Sequence, residues 1–334
     1  MVDYSQYGQA LILQQLLTDD TPQFLVDIGA NDGICGSNSR TFLEQGWRGV
    51  LVEPMPQVFA RLQANTIDLP GVRLVQAACS DRNGTASIRL GKDGALGQLS
   101  SLSEDPALAN NLSDERIEVR TATLEDLLWK YQVPRDFGVL LVDTEGWDLA
   151  ALRGLERAYS KPRIILTEDF VSTNEEKYAF LRGQKYQLAG NWGGDSLWVS
   201  KSHPVDQASL RFPTLRIENW EPAGKLAGPG RVAFDRNASS GNTIAGWAWT
   251  EVNRVPEQNV IIALRRIDSG EEYFFQGWRT PRSDAVSVFN SDRLLMSGFR
   301  AHVDCPTGAY ELTVVQQADG LYSSDSAGYI SLPL

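Results

Sequence analysis

The segment FLVDIGANDGICGSNS, residues 24–39, holds the first concentration of residues whose types and spacing can do chemistry. Gly29, Gly33 and Gly36 surround what reads as a strand-to-helix turn, where missing side chains let backbone amides approach a ligand closely. Twenty residues after Gly33, the next apolar run, GVLVEP, ends in Glu53 and Pro54. A carboxylate at that position can accept both hydroxyls of an adenosine ribose. A tight turn beside a solvated acid is the plainer alternative for the same residues.

The spacing distinguishes between nucleosides. A dinucleotide site needs G-x-G-x-x-G so that the pyrophosphate meets a helix N-terminus, but here Asn31 stands at the second glycine position. Asp27 and Asp32 flank the loop. Carboxylates there repel a pyrophosphate and suit the sulfonium and ammonium groups of S-adenosylmethionine.

A second group of acids lies further on: Asp143, Glu145 and Asp148 in VDTEGWD, then Glu168 and Asp169 in ILTED. Histidine, the commonest general base, offers little, because His203 falls near a domain junction and His302 in a β-rich region. Carboxylates are left by elimination.

These residues sit at the ends of a regular series of elements. From about residue 24 to 200, the apolar runs FLVDIG, GVLVEP, VRLVQAA, GVLLVDTEG and RIILTED alternate with the helical stretches SRTFLEQG, QVFARLQANT, TLEDLLWKY and DLAALRGLERA. TASIRLG, YQLAG and DSLWVS read as further strands, and ALILQQLL as an amphipathic helix. Such alternation predicts an α/β fold, a parallel sheet with helices on both faces, with ligands beyond the carboxyl ends of its strands. After HPVDQ the pattern changes. Residues 205–228 read as a proline-containing linker or lead-in, and RVAFD, TIAGWAW, NVIIALRRI, EEYFFQGW, GFRAHV, YELTVVQQ and AGYISL follow as strands at sandwich-like spacing. The expectation is a Rossmann-like domain over 1–204 followed by an all-β sandwich over 205–334.

SQYGQ, VDIGANDG, the GSNS that follows, GWRGVLVEPMP, and later VDTEGWD and ILTED together resemble the FkbM-type family of methyltransferases, in order and over about the first 200 residues. The resemblance implies a class I methyltransferase fold, S-adenosylmethionine as methyl donor, and hydroxyl acceptors, often on sugars or polyketides. It places Asp27, Gly29, Ala30, Asn31 and Gly33 around the methionine end of the cofactor. Glu53 with Pro54 would then hold the ribose, and Ala78, Cys79 and Ser80 would lie near adenine. Ser37 and Asn38 would help hold the cofactor or admit the acceptor.

Methyl transfer from sulfonium to oxygen is an in-line displacement, so alignment and water exclusion supply much of the acceleration. A sugar hydroxyl is a poor nucleophile at neutral pH and needs a base or a metal. Asp143 is assigned to positioning the acceptor or the cofactor amine, and Glu145 to the base, with Glu168 and Asp169 facing the same loop. Alternatively, Asp143, Glu168 and Asp169 share a magnesium ion, which favours hard oxygen ligands. Asp148 can serve simply as the N-terminal acid of the next helix. The polar stretch LGQLSSLSEDPALANNLSDERIEV reads as a substrate lid or a mobile insertion. Trp147, Trp192 and Asp195 are within reach of an acceptor pocket, although Trp147 can equally pack in the core.

The C-terminal half resembles β-sandwich modules found beside enzymes of bacterial surface-polysaccharide assembly. Trp247, Trp249 and Trp278 there form either a sugar platform or buried sandwich aromatics. Glycan, a glycan-assembly enzyme and a second copy of the chain all stay open as its partner.

Bulk properties close off other classes. The net charge of −11, with neither half basic, argues against a nucleic-acid partner. No run approaches the length of a membrane span and no secretory leader is evident. Three widely spaced cysteines, Cys35, Cys79 and Cys305, suggest neither a disulfide framework nor a zinc site, and the expectation is a cytoplasmic protein. Two rivals to a sugar O-methyltransferase stand: a nicotinamide-dependent oxidoreductase, and a glycan-binding or scaffold protein on an inactive methyltransferase fold.

Overall fold

A computed structural model describes residues 2–6, 8–92, 100–102, 112–169, 174–192, 194–204, 230–234, 239, 243–250, 259–280, 298–318 and 321–332. The chain divides into two compact units, Met1–Leu188 with Asp195–Leu210, and Ala189–Gly194 with Arg211–Leu334.

The first unit begins with α1 (Gln9–Leu16), β1 (Phe24–Ile28), α2 (Arg40–Glu44), β2 (Arg48–Val52), α3 (Pro56–Asn65) and β3 (Val72–Val75). It continues through β4 (Ala78–Ser80), β5 (Gly84–Gly91), β6 (Leu112–Thr123), α4 (Leu124–Lys130), β7 (Asp136–Val142) and α5 (Asp148–Leu152). After a short 3-10 turn at Arg153–Leu155 come β8 (Lys161–Glu168), α6 (Asn174–Gly183), the start of β9 (Tyr186–Trp192) and β10 (Asp195–Ser200).

The main sheet of this unit runs β3-β2-β1-β7-β8-β10, parallel except for β10. All five residues of β1 are buried, as a strand covered on both faces requires. Helix starts carry local signals. Pro56 opens α3, where a missing N–H costs nothing, and Thr123 caps α4 by accepting the Asp126 amide at 3.2 Å.

Register aligns the strand ends. Ile28 stands opposite both Val52 and Val142, Val142 opposite Thr167, and Glu168 opposite Asp195. The residues that continue this row past the strand tips are therefore Glu53, Gly29 and Asp143, beside Glu168 and Asp195. Order reverses between β2 on one side of β1 and β7 on the other, which opens a crevice at the carboxyl ends.

Two details differ from the sequence expectation. VRLVQAA is not one strand: β3 ends at Val75, and β4 belongs to a separate sheet ordered β4-β6-β5. The polar stretch expected as a lid or insertion contains a regular strand from Leu112, antiparallel to β5. Its residues 103–111 lie outside those described, as does the linker region 205–228.

In the second unit the described strands are β11 (Gly230–Phe234), β12 (Thr243–Thr250), β13 (Asn259–Arg266), β14 (Glu272–Thr280), β15 (Gly298–His302), β16 (Gly308–Ala318) and β17 (Leu321–Leu332). They pair antiparallel in the order β11-β12-β15-β14-β13-β16-β17. Ile244, Val260, Ile262, Phe275, Phe299 and Leu312 are buried between them. Arg279 is buried as well, donating to the Ala248 carbonyl at 2.7 Å and to Gln316 Oε1 at 2.9 Å. The side chains of Trp249 and Trp278 lie outside the described set.

Candidate active site

The loop after β1 is built by its backbone. The Gly29 and Ala30 amides donate to the Val52 carbonyl at 2.9 and 3.0 Å, and Asn31 takes a left-handed φ of 49°, which asparagine tolerates. Glu53 ties this loop to the next one. Its Oε2 accepts the Asn31 amide at 3.1 Å and its Oε1 accepts the Met55 amide at 2.8 Å. Asp32 caps its own loop, accepting the Ile34 and Cys35 amides at 2.9 Å.

Around these residues lies a cavity of about 220 Å³. Asp27, Gly29, Ala30, Asn31, Asn38, Glu53, Pro54, Ala78, Cys79, Asp143 and Glu145 line it. Gly33 and Ser80 do not, but Ser80 Oγ accepts the indole N–H of Trp147, a lining residue, at 3.1 Å. Met55, Ala77, Ile88 and Leu102 make one wall apolar. Gln6 and Asp195 also line the cavity.

The electrostatics are lopsided. Among the described residues of the lining, five are carboxylates (Asp27, Glu53, Asp143, Glu145 and Asp195) and none is Lys, Arg or His. Burial pushes Asp27 up to about 7, against the pull of a Ser39 hydrogen bond and with the charge of Asp143 adding to the rise. Burial likewise raises Glu53 to about 7, although the Met55 and Asn31 amides favour its ionised form. Asp195 is raised to about 8 by burial and by Asp143, while Gln9 works against that rise. Asp143 opens onto the cavity and is solvent-accessible, yet the protein packed around it also raises its carboxyl. Asn38 Oδ1 and Thr144 Oγ1, both on lining residues, are buried without a hydrogen-bond partner among the described residues.

The acids at the next strand ends separate into two groups. Asp143, Glu145 and Glu168 bring carboxylate oxygens within 4.8 Å of one another. Burial and its acidic neighbours hold the Glu168 carboxyl well above its ordinary range, and it shares a hydrogen bond with Asp143. Asp169 points elsewhere. Its Oδ1 lies 2.9 Å from Lys177 Nζ and accepts the Ser196 hydroxyl at 2.9 Å, while Oδ2 accepts the Tyr178 hydroxyl at 2.6 Å. Lys177 is 1% exposed and also donates to the Glu168 backbone carbonyl. Burial alone would lower its pKa, but Asp169, Asp148 and Glu168 outweigh that and raise it. The set anticipated for magnesium, Asp143, Glu168 and Asp169, is therefore not assembled, and no catalytic step is derived through a metal.

Asp148 begins α5 and accepts the Thr144 amide at 3.2 Å; burial raises it to about 6. Lys177, Thr144, Met55 and Ile88 are among the site-region residues that sequence reasoning missed, and Gln6 and Gln9, inside SQYGQ, carry no assigned role there.

Comparison with known proteins finds similarity to methyltransferases. The family model described as Methyltransferase FkbM domain matches residues 27–188. The chain is 31% identical over 157 residues to 2-O-methyltransferase NoeI of Sinorhizobium fredii, covering 43% of this chain and 62% of that protein. It is 25% identical over 166 residues to hexuronic acid methyltransferase AglP of Haloferax volcanii, covering 47% of this chain and 59% of that protein. The match thus spans about three fifths of each relative. Among solved structures, precorrin-6y C5,15-methyltransferase from Geobacter metallireducens is similar with a TM-score of 0.33 and 15% identity, over 57% of this chain and 85% of that one.

Proposed function

We propose that this chain is an S-adenosylmethionine-dependent O-methyltransferase whose acceptor is a sugar hydroxyl. The observation that carries the proposal is the cavity of five carboxylates with no cationic side chain among the described residues of its lining. Such a lining attracts a ligand bearing sulfonium and ammonium charges and repels the pyrophosphate of a nicotinamide dinucleotide. The apolar wall of Met55, Ala77, Ala78, Ile88 and Leu102 suits an adenine ring, and the oxygens of Asn38 and Thr144, without a partner among the described residues, suit a polar ligand. The residues present fit the cofactor.

S-adenosylmethionine supplies an activated methyl group. Glu53 holds the ribose hydroxyls, while Asp27 and the Gly29–Asn31 backbone hold the methionine end. Asp143 orients the reacting groups across the crevice, with Glu145 beside it and Glu168 backing it. A relative named for hexuronic acid supports the sugar acceptor. The antiparallel C-terminal strands, taken as a β-sandwich module, favour an acceptor on a bacterial surface glycan. A cytoplasmic setting is consistent with three cysteines outside any disulfide.

Calorimetric titration with S-adenosylhomocysteine tests the cofactor assignment. The wild type is expected to bind, and Glu53→Gln to weaken binding by about 1.5–3 kcal/mol, the value of hydrogen bonds to a charged group. Absence of wild-type binding, together with binding of a nicotinamide dinucleotide, would move the chain to the oxidoreductase class. A glycan-array signal with neither cofactor binding nor turnover would favour the scaffold.

The raised acids set a pH dependence. Asp27 and Glu53 change charge near pH 7, and only their ionised forms attract a cation. Affinity for S-adenosylmethionine is therefore expected to climb as pH rises through about 7, with Asp195 extending the climb toward 8. S-adenosylhomocysteine, which lacks the sulfonium charge, should show a shallower climb. Equal slopes for the two ligands would count against a carboxylate lining that senses the sulfonium.

A further inference from the structure

We propose that Asp195 accepts the proton of the attacking hydroxyl and that Gln9 on α1 is the positioning residue that orients it, an inference resting on the methyltransferase proposal above. Asp195 opens β10 directly opposite Glu168 in antiparallel register, which brings its side chain to the cavity at the tip of the sheet. The Gln9 side chain is 3% exposed and its Nε2 donates to Asp195 Oδ2 at 2.8 Å. An amide held in the interior for one carboxylate oxygen fixes the direction in which the other points.

The other acids are committed differently. Glu53 bridges two loops through its amide contacts, and Asp27 takes a hydrogen bond from Ser39. Asp143 and Glu168 share a hydrogen bond, with Glu145 in the same cluster. Asp148 serves the Thr144 amide and Asp169 serves Lys177. Asp195 is a cavity carboxylate whose Oδ2 accepts a side-chain amide from α1. The charged groups that act on it are Asp143 from the end of β7, Asp169 from the end of β8 and Lys177 from α6. Its carboxyl is held near 8, close to the range that suits a general base at neutral pH.

The step balances. The acceptor oxygen forms a bond to the methyl carbon as the carbon–sulfur bond breaks, and that electron pair stays on sulfur, leaving a neutral thioether. The hydroxyl proton passes to Asp195, which later returns it to solvent.

The test uses the full chain with tritiated S-adenosylmethionine and methyl β-D-glucuronide as the hexuronate acceptor. Asp195→Asn should lower kcat by at least about 100-fold, in line with loss of a general base, while S-adenosylhomocysteine binding stays measurable by calorimetry. Gln9→Leu should shift the acidic limb of the kcat profile to higher pH, because the lost amide favoured the ionised form. A purely structural role for Gln9 would lower folded protein without moving that limb. Retention of kcat within about threefold in Asp195→Asn would overturn the proposal while leaving the methyltransferase assignment intact. If the wild type binds S-adenosylhomocysteine but does not methylate the glucuronide, the hexuronate acceptor is at fault. The carboxyl-carbon NMR titration of Asp195, assigned by loss of its signal in Asp195→Asn, then decides. An upward shift in Gln9→Leu supports the pairing, and an unmoved titration overturns it.

Discussion

Gly29→Ala is expected to destabilise the first unit by about 4 kcal/mol or more, enough to leave little folded protein at 37 °C. A methyl group at this position would lie 1.7 Å from the Asp143 carbonyl oxygen and 2.8 Å from its carbonyl carbon. Both are backbone atoms, so no rotamer change relieves the clash. The Asp143 amide is itself bonded to the Ile28 carbonyl at 2.9 Å, so moving the carbonyl pulls apart the β1–β7 junction. The φ of +86° adds a second penalty, since residues with a Cβ disfavour left-handed backbone. Gly183→Ala is the control. It sits at the end of α6 with nothing within 4 Å of an added methyl, and should lie within about 0.5 kcal/mol of wild type. Urea denaturation of both variants checks the contrast; equal midpoints would refute the close approach at Gly29.

Lys177→Met carries the other large effect, a loss of about 3–5 kcal/mol from breaking a buried ion pair on one side only. The partner left behind, Asp169, is 3% exposed and would face Asp148 and Glu168 with no cation between them. The loss should deepen as pH rises. Asp148 is already raised to about 6 while Lys177 pulls it down, so without the ammonium it climbs further. A carboxyl whose folded pKa exceeds its unfolded value favours the folded state less and less as pH increases through that interval. Adding Asp169→Asn should recover much of the stability, since the amide removes the stranded charge and keeps hydrogen-bonding atoms near Tyr178 and Ser196. Denaturation of the single and double variants at pH 6 and 8 reads this directly. A single variant with unchanged, pH-independent stability would show that the pair contributes nothing net.

The contrast between Glu168 and Asp169 shows what could be read in advance. The strand run RIILTED and its terminal acids were plain in the sequence, as were the loop glycines and Glu53, because buried parallel strands are apolar throughout and end abruptly. Which of two adjacent acids faces the cavity was not plain. Side chains alternate at the end of a strand, so neighbours diverge, and only β8's final register sends Glu168 toward Asp143 and Asp169 toward α6. Lys177 was hidden for a related reason. In NEEKYAFLRG a lysine beside two glutamates reads as a solvated helix face, and its burial depends on an acid eight residues earlier that the local pattern does not connect to it. Gln9 is similar, since its partner Asp195 lies 186 residues away. VRLVQAA misled because Val75 and Ala78 are both strand residues, and only tertiary pairing assigns them to different sheets.

The three thiols are unequal in a way that has a practical use. Cys35 is exposed and lines the cavity, Cys79 lines it too but is buried, which raises its thiol to about 12, and Cys305 is half-buried in the other unit. Alkylating reagents attack thiolates they can reach, so Cys79 is inert and Cys35 reacts first. A fluorophore placed there by brief labelling of the unaltered chain sits beside the loop that Glu53 organises. Its emission then becomes an optical gauge of cavity occupancy, and a bound ligand shields the thiol from further reagent.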